Sequence, residues 1–449
     1  MPVPNRLVLA IVGLILVGAF VSVALLLRTF KSVAGSGSNS VAGNKARYDH
    51  FRVIRVKLET ERQVLIMQEL ANRSDGYEFI GYPRNLNQTL TIIMGSHKIA
   101  EMVDLMDRFK IEGTVLLNNI QELIDREQLT MKAEETPPEQ FDWTHYFHLK
   151  TIYQWLDLLL SKYPFLTNIS LGASYESNLI KGIKLSKKEG NTAVFVECGI
   201  HAREWIGPAV CTYLLNELLT SNVSEVRNLA DNFDWFFFPV VNPDGYKYSF
   251  ESDRLWRKNR KPHGLCQGVD LNRNFASNWN SSGASSDPCA NNFAGDVEAS
   301  ELETQAIQKF LKENVGPSRI RTYFSMHSFS QLIMFPYAFT SEKVFNYEDL
   351  KAIGESGSNA ILRKNGQKYI SGAMSETIYP FSGDSVDWVY VECGVPVAYT
   401  FELRGPSNST NLFVLPADEI IPTGQEILAA YIAMLNTARD LGYYSNKFR

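Results

Sequence analysis

The sequence of 449 residues contains few cysteines and no excess of positive charge. Five cysteines are too few for a fold held together mainly by disulfides. The formal net charge is -5, and no basic stripe with interleaved aromatic residues occurs, so nothing indicates a nucleic-acid-binding surface. Internal repeats are absent, which excludes repeat architectures. A Gly-x-Ser-x-Gly motif is also absent, which leaves a serine hydrolase without its nucleophile turn.

A chain of this length is expected to form two or three domains. From about Phe141 onward, continuous apolar runs such as 194–196, 235–238 and 398–401 alternate with helical patterns. Such runs are typical of strands in a sheet that is covered on both faces. The helical patterns lie at Leu149 to Lys162, Val210 to Leu219, Ser300 to Glu313 and Gly424 to Leu441. We therefore predict one large α/β/α domain over residues 141–449.

The segment from residue 48 to about 125 has a different pattern. Runs of period two and helical stripes follow one another as strand, helix, strand, strand, helix, strand, with Ser96 as a possible N-cap of the second helix. This order is that of the ferredoxin-like motif, which alone indicates only a small binding or regulatory domain. We assign it to residues 48–121.

The N-terminus contains a run without charged residues, 7–27. As a helix it would be about 32 Å long, enough to cross a hydrocarbon core of about 30 Å. We expect residues 1–34 to be a signal peptide or a membrane-inserted signal anchor, with the anchor favoured by the length of the run, and 35–47 to be a linker. Both alternatives lead the chain into the secretory pathway, to be secreted or membrane-anchored. Six glycosylation sequons agree with this route, at Asn72, Asn87, Asn168, Asn222, Asn280 and Asn408.

The chemistry of the chain centres on Gly199-Ile200-His201-Ala202-Arg203-Glu204-Trp205-Ile206. The apolar run 193–198 before it is predicted to be a buried strand. Residues three apart share a face of a helical turn, so His201 and Glu204 can reach one metal ion. A single histidine and glutamate at this spacing more often lie on the surface, or are hydrogen-bonded in the core, than bind a metal, so the site needs further support.

Two other strand-like runs end in residues that provide such support. His327 lies near the end of 322–329, and two histidines with one glutamate form a ligand set of hydrolytic zinc sites. Glu402 ends the run 398–402, where burial of a carboxylate is costly. It is therefore either paired, for example with Arg404, or functional.

Further motifs stand between and beyond these residues: Arg254-Leu255-Trp256-Arg257, Gly268-Val269-Asp270-Leu271-Asn272-Arg273-Asn274, Thr377-Ile378-Tyr379 and Tyr399-Thr400-Phe401-Glu402-Leu403-Arg404. Together and in this order, the motifs resemble those of the zinc metallocarboxypeptidases of the pancreatic A/B type, which carry an N-terminal pro-domain. The resemblance extends from about residue 48 to the C-terminus. It implies an α/β fold, namely an α/β/α metallocarboxypeptidase domain with a mixed central sheet, preceded by a small ferredoxin-like α+β pro-domain. It also implies one Zn²⁺ per chain and peptide or protein C-termini as substrates.

The resemblance also implies roles for the matched residues near zinc. His201, Glu204 and His327 would hold the ion, and Asp270 would orient His201. Glu402 would act as general base toward the hydrolytic water and then as proton donor to the leaving amine.

Other matched residues would bind the substrate. Arg257 would stabilise the oxyanion, while Asn272 and Arg273 would bind the terminal carboxylate with help from Tyr379 on a mobile loop. Further subsites would contain Arg203 and Arg254, for which ordinary surface ion pairs are the alternative. Phe329 stands where the family often has tyrosine, which removes a hydroxyl from a subsite without removing the catalytic groups.

Val386 matches the base of the specificity pocket, seven residues after Tyr379. An apolar residue there implies removal of neutral, aliphatic or aromatic ends, whereas an acidic residue would select lysine or arginine. Asp384 leaves a basic preference open as an alternative, although we expect it to point away. The other matched wall positions are Met334, Ala338, Met374, Ile378 and Thr400.

The resemblance implies that the chain is a zymogen whose pro-segment covers the active site. Residues 122–140 would be the connecting segment, in which Arg126 and Lys132 offer cuts to a trypsin-like protease. A disulfide between Cys266 and Cys289 would pin the loop beside the active site. The alternative from another class is a catalytically inactive binding protein, which loss of a ligand, Glu402 or Arg257 would favour; none is lost.

Overall fold

The computed structural model describes residues 45–73, 75–131, 136–314, 320–405 and 412–444. The predicted signal segment over residues 7–27 lies outside these ranges, as do Lys132 and the sequon at Asn408. None of the helices within the described ranges combines the length and apolarity that a membrane crossing requires.

The first described part forms a four-stranded antiparallel sheet with two helices. Its elements are β1 (Arg52–Leu58), α1 (Glu61–Ala71), β2 (Tyr77–Ile80), β3 (Gln88–Met94), α2 (Ile99–Phe109) and β4 (Glu112–Leu117). The order of the elements and the strand order β2-β3-β1-β4 are those of the predicted ferredoxin-like motif. One prediction is wrong here: Ser96 begins a short 3-10 turn, Ser96–Lys98, and α2 follows it without a side-chain cap.

Helix α3 (Gln121–Thr130) follows this sheet and precedes the larger part of the chain. That part begins with α4 (Leu149–Lys162), β5 (Leu166–Ala173), β6 (Leu179–Leu185), β7 (Thr192–Cys198), α5 (Ile206–Thr220), α6 (Ser224–Asn232), β8 (Phe233–Phe238) and α7 (Pro243–Glu251). It continues with β9 (Pro262–His263), β10 (Cys266–Gln267), α8 (Leu302–Asn314), β11 (Ile320–His327), β12 (Leu332–Phe335), α9 (Tyr347–Asn365), β13 (Ile370–Ala373), α10 (Met374–Thr377), α11 (Ser385–Cys393), β14 (Val397–Glu402) and α12 (Ile420–Asp440).

Within the described residues, eight of these strands form one mixed sheet in the order β13-β12-β14-β11-β7-β8-β6-β5. The four central strands, β14, β11, β7 and β8, are parallel. Consecutive residues 193–198 of β7 are all buried, and neighbours along a strand point to opposite faces, so both faces of the sheet are covered. The mixed α/β sheet that the sequence predicts is confirmed.

The sheet brings the chemically important residues together at one edge. His327 on β11 pairs in register with Glu402 on β14, where both parallel strands end. Strand β7 runs beside β11 in the same direction, and three residues after its end the chain reaches His201. Because parallel strands end at the same edge, this is where side chains from distant parts of the sequence meet.

Candidate active site

His201, Glu204 and His327 form a buried cluster at this edge. Their ligand atoms all lie within 4.8 Å of one another, and each residue is at most 3% exposed. The Nδ1 atoms of the two histidines are 3.0 Å apart. Glu204 Oε1 lies 2.8 Å from His201 Nδ1, and its Oε2 lies 3.2 Å from His327 Nδ1.

This geometry fits a tetrahedral cation. Metal–nitrogen distances of about 2.0–2.1 Å place two ligand nitrogens about 3.3 Å apart, close to the observed 3.0 Å between the two Nδ1 atoms. Two imidazoles and one carboxylate are donors that zinc binds, and they leave a fourth position open. His201 and Glu204 lie on a single turn, as their spacing predicts: Glu204 N–H donates to the His201 carbonyl, and α5 begins at Ile206.

Asp270 fixes the orientation of the first histidine. Its Oδ1 lies 3.0 Å from His201 Nε2, which leaves His201 Nδ1 for the cluster. Its Oδ2 accepts two hydrogen bonds from Arg257, at 2.8 and 3.0 Å. Burial alone would raise the pKa of Asp270, but the charges of Arg257, His201 and Arg273 hold this pKa well below its usual range. Asp270 therefore remains an anion that links the histidine to Arg257.

Glu402 stands beside the cluster, and no cation among the described residues is hydrogen-bonded to it. Burial and the negative charge of Glu204 raise the pKa of its carboxyl to about 7, against the opposing charges of His327 and two arginines. The alternative that Arg404 pairs with Glu402 is wrong, because Arg404 donates to Glu426 from both Nε and Nη2 and to Glu419 from Nη1. A half-buried carboxyl next to a group of metal-ligating residues is positioned for proton transfer.

A second group of side chains presents hydrogen-bond donors close by. Arg273 Nη2 donates to the Tyr379 hydroxyl at 3.1 Å, and its Nε donates to the Gly283 carbonyl at 3.1 Å. The guanidinium lies over the Phe381 ring, 4.3 Å from its centroid. Asn272 lies on the cluster side, with Nδ2 3.5 Å from His327 Nε2. Arg273 and Tyr379 together form a fork of hydrogen-bond donors, called the carboxylate fork below, whose geometry suits a carboxylate.

Two sequence models match the chain: zinc carboxypeptidase over residues 152–430, and carboxypeptidase activation peptide over residues 54–127. The chain belongs to the zinc carboxypeptidase family. It is 40% identical over 410 residues to zinc carboxypeptidase A 1 of Anopheles gambiae, across 90% of this chain and 94% of that protein. It is 38% identical to carboxypeptidase B of Astacus astacus, across 67% of this chain and 99% of that one. Among solved structures, thrombin activatable fibrinolysis inhibitor is similar at 32% identity and a TM-score of 0.78, across 87% of this chain and 98% of that chain.

The chain is therefore a zinc-dependent metallocarboxypeptidase made as a zymogen with an activation peptide. The predictions of family, enzymatic activity, zinc and fold class are confirmed. Zinc carboxypeptidases of both the A and B names occur among the relatives, so the preferred terminal residue does not follow from family membership.

In this carboxypeptidase, carboxylates of the pro-segment pair with both arginines of the predicted outer subsites. Arg254 Nε and Nη2 donate to the two oxygens of Glu127 on α3, at 2.5 and 3.0 Å. Arg203 Nη2 lies 2.5 Å from Glu78 on β2. The arginine side chains are each 4% exposed, so both arginines are in ion pairs, as the alternative holds, but these pairs are buried and not at the surface.

Apolar packing accompanies these ion pairs. Val53, Ile93 and Ile124 of the pro-segment share one buried cluster with Leu255 and Phe413 of the carboxypeptidase part. The activation peptide thus packs directly on Arg203 and Arg254, near the zinc-ligand group His201, Glu204 and His327, which is called the zinc cluster below. The sequence could not reveal this pairing, because the partners lie more than a hundred residues apart in the chain.

The region that matches the specificity pocket is apolar and buried. Val386 is fully buried, and so are Met334, Ala338 and Met374, while Thr400 is 4% exposed and Ile378 is partly buried. Asp384 caps α11: its Oδ1 accepts the backbone N–H groups of Val386 and Asp387, both at 3.0 Å. Its Oδ2 has no hydrogen-bond partner among the described residues.

Two further features frame the site. The disulfide between Cys266 and Cys289 is present, with a Cα–Cα distance of 5.2 Å, and it closes the loop that contains Gly283. Glu197 on β7 is a buried carboxyl that our sequence interpretation treats as part of an apolar strand. The signal that could have revealed it is a charged residue in an otherwise apolar run.

Proposed function

We propose that this carboxypeptidase, once its pro-segment has been removed, hydrolyses the C-terminal peptide bond of substrates that end in neutral, aliphatic or aromatic residues. One observation carries the proposal: a carboxylate-binding fork, Arg273 with Tyr379, lies beside a zinc cluster and the free carboxyl of Glu402. This combination suits hydrolysis of the peptide bond next to a free C-terminal carboxylate.

The chemistry divides between the ion and the side chains. His201, Glu204 and His327 would hold the zinc ion, which would supply an acidified water molecule and a Lewis acid for the scissile carbonyl. Glu402 takes the proton of the attacking water and passes it to the leaving amine. Arg257, anchored on Asp270, directs positive charge toward the oxygen on which negative charge develops.

Substrate orientation comes from the carboxylate fork. Arg273 offers a planar pair of donors to the terminal carboxylate, and Tyr379 adds its hydroxyl when it closes over the substrate. Asn272 supplies an amide donor from the same short segment. An internal peptide bond has no carboxylate at this distance, which limits cleavage to the last residue.

The proposal of a neutral preference rests on the buried apolar residues around Val386. A lysine ammonium among them would need Asp384 or Asp387 to turn its unpaired oxygen toward it; an unpaired buried charge costs several kcal/mol. The test compares kcat/KM on peptides that end in Phe, Leu, Lys or Glu. We expect Phe and Leu to lead; a tenfold or greater preference for Lys, abolished by Asp384→Ala, would establish the basic alternative instead.

Activation is proposed to occur by a trypsin-like cut between residues 122 and 141, in the secretory pathway or outside the cell. Of the two predicted sites, Arg126 lies on helix α3 with its side chain 71% exposed. The disulfide supports an oxidising compartment. The test is peptide hydrolysis before and after limited trypsin treatment. An uncut chain that already has full activity would refute this part of the proposal.

A further inference from the structure

Glu197 is a fully buried carboxyl for which the mechanism above has no use. It lies near the end of β7, beside Ser325 on β11, which in turn pairs with Thr400 on β14. Ser325 and Thr400 each precede a functional residue, His327 and Glu402, by two positions. Because side chains two apart on a strand share a face, Glu197 belongs to the row directly beneath the zinc cluster.

The hydrogen bonds of Glu197 join three elements that build the site. Ser325 Oγ donates to Glu197 Oε1 at 2.7 Å, and Ser385 Oγ donates to the same oxygen at 3.1 Å. Oε2 has no partner among the described residues. Burial raises the pKa of the Glu197 carboxyl, against the effect of the serine hydroxyls. Burying a carboxyl with only one hydrogen-bonded oxygen costs folding free energy. The contribution of Glu197 to the site therefore lies in its two hydrogen bonds to the serines.

Ser385 connects this carboxyl to the substrate fork. It is the first residue of α11, and its backbone N–H donates to Asn272 Oδ1 at 2.9 Å. With its oxygen occupied in this way, the Asn272 amide must turn Nδ2 toward the zinc cluster, where it lies 3.5 Å from His327 Nε2. The orientation of Asn272 thus depends on the position of Ser385.

We propose that Glu197 is a positioning residue: by holding Ser385, it keeps the Asn272 amide turned toward the terminal carboxylate of the substrate. The inference rests on the proposed role of Asn272 in binding that carboxylate. Glu197 itself touches no substrate atom in this account. Its loss should weaken substrate binding and leave the chemical step largely intact.

The test uses the activated enzyme and variants that change one hydrogen bond at a time. Ser385→Ala removes the hydroxyl donor but keeps the backbone N–H, so KM should rise about fivefold, the effect expected of one hydrogen bond, while kcat stays within about twofold. Glu197→Leu should raise KM to a similar extent. Glu197→Gln should keep KM near the wild-type value, because it keeps the acceptor oxygen. The double variant Ser385→Ala with Glu197→Leu should have a KM no higher than that of either single variant.

Ser325→Ala is the matched control, because it removes the other bond to the same oxygen without touching the link to Asn272. We expect its KM to remain near the wild-type value. Zinc content and thermal stability of each variant show whether it is folded, and Ser385→Ala carries the test if Glu197→Leu fails to fold.

Asn272→Ala separates the two levels of the proposal. If it leaves KM unchanged, the proposed role of Asn272 fails. If it raises KM while Ser385→Ala leaves KM at the wild-type value, or while Ser325→Ala raises KM as much as Ser385→Ala does, the positioning role of Glu197 is overturned. That role is also overturned if Ser385→Ala lowers kcat and leaves KM unchanged.

Discussion

The ion pair between Glu127 and Arg254 allows a quantitative test of how the pro-segment keeps the uncut carboxypeptidase inactive. The two side chains are 6% and 4% exposed, and two hydrogen bonds join them. Glu127→Gln keeps the shape of the side chain but removes its charge. While the pro-segment is seated, Arg254 then remains a buried cation without its carboxylate, although its bonds to two backbone carbonyls persist.

Removing one partner of a buried ion pair costs about 3–5 kcal/mol. At the lower value, the equilibrium between a seated and a lifted pro-segment shifts on the order of 100-fold toward the lifted state. Hydrolysis of a short peptide by the uncut variant should therefore rise by up to this factor, limited by the activity of the cut enzyme. Because burial raises the pKa of the Glu127 carboxyl, the assay is best run on the alkaline side of neutrality, which favours the ionised form.

Glu122→Gln is the matched control, because Glu122 lies on the same helix with its side chain 61% exposed. We expect this variant to be as inactive as the uncut wild type, and gel electrophoresis should show that all three chains remain intact. If Glu127→Gln is no more active than Glu122→Gln, the buried pair does not hold the pro-segment in place. The pair also distinguishes the two predicted cuts: a cut after Lys132 removes Glu127 from the enzyme, whereas a cut after Arg126 leaves Glu127 at its N-terminus, so the product of the Lys132 cut should be the more active of the two.

The remaining predictions concern the catalytic part. His201→Ala should lose zinc and activity together, measured by metal analysis; full zinc occupancy would exclude His201 as a ligand. Glu402→Gln should retain zinc and substrate binding but lose about 10²–10⁴-fold in kcat, the usual contribution of a general base; more than a tenth of the wild-type turnover would require another base. Cys266→Ser should lower the free energy of unfolding by roughly 3 kcal/mol, seen as a lower Tm, with zinc content unchanged.

The architecture of this chain was largely accessible from its sequence, because periodicity and apolar runs are local properties. The predicted helix Leu149 to Lys162 coincides with α4, and the predicted strand 193–198 differs from β7 by one residue. Local capping was less accessible: Ser96 has the right residue type for an N-cap, but a 3-10 turn comes first. The i, i+3 spacing of His201 and Glu204, by contrast, correctly indicates the single turn that they form.

Pairing between distant residues could not be predicted, since it depends on the assembled fold. Arg404 is two residues from Glu402 in sequence but pairs with Glu426 on α12. Arg254 pairs with Glu127, which lies 127 residues earlier in the chain. Residue type and spacing indicate which groups can perform chemistry, whereas the fold determines which partner each group meets.

The most direct test of the account follows a single peptide by mass spectrometry after the zymogen has been cut. We predict stepwise loss of single residues from the C-terminus, abolished by a zinc chelator, restored by added Zn²⁺, and absent for the same peptide with an amidated C-terminus. Cleavage at internal bonds, or C-terminal trimming that survives removal of zinc, would contradict the assignment of a zinc cluster and a carboxylate fork to one active site.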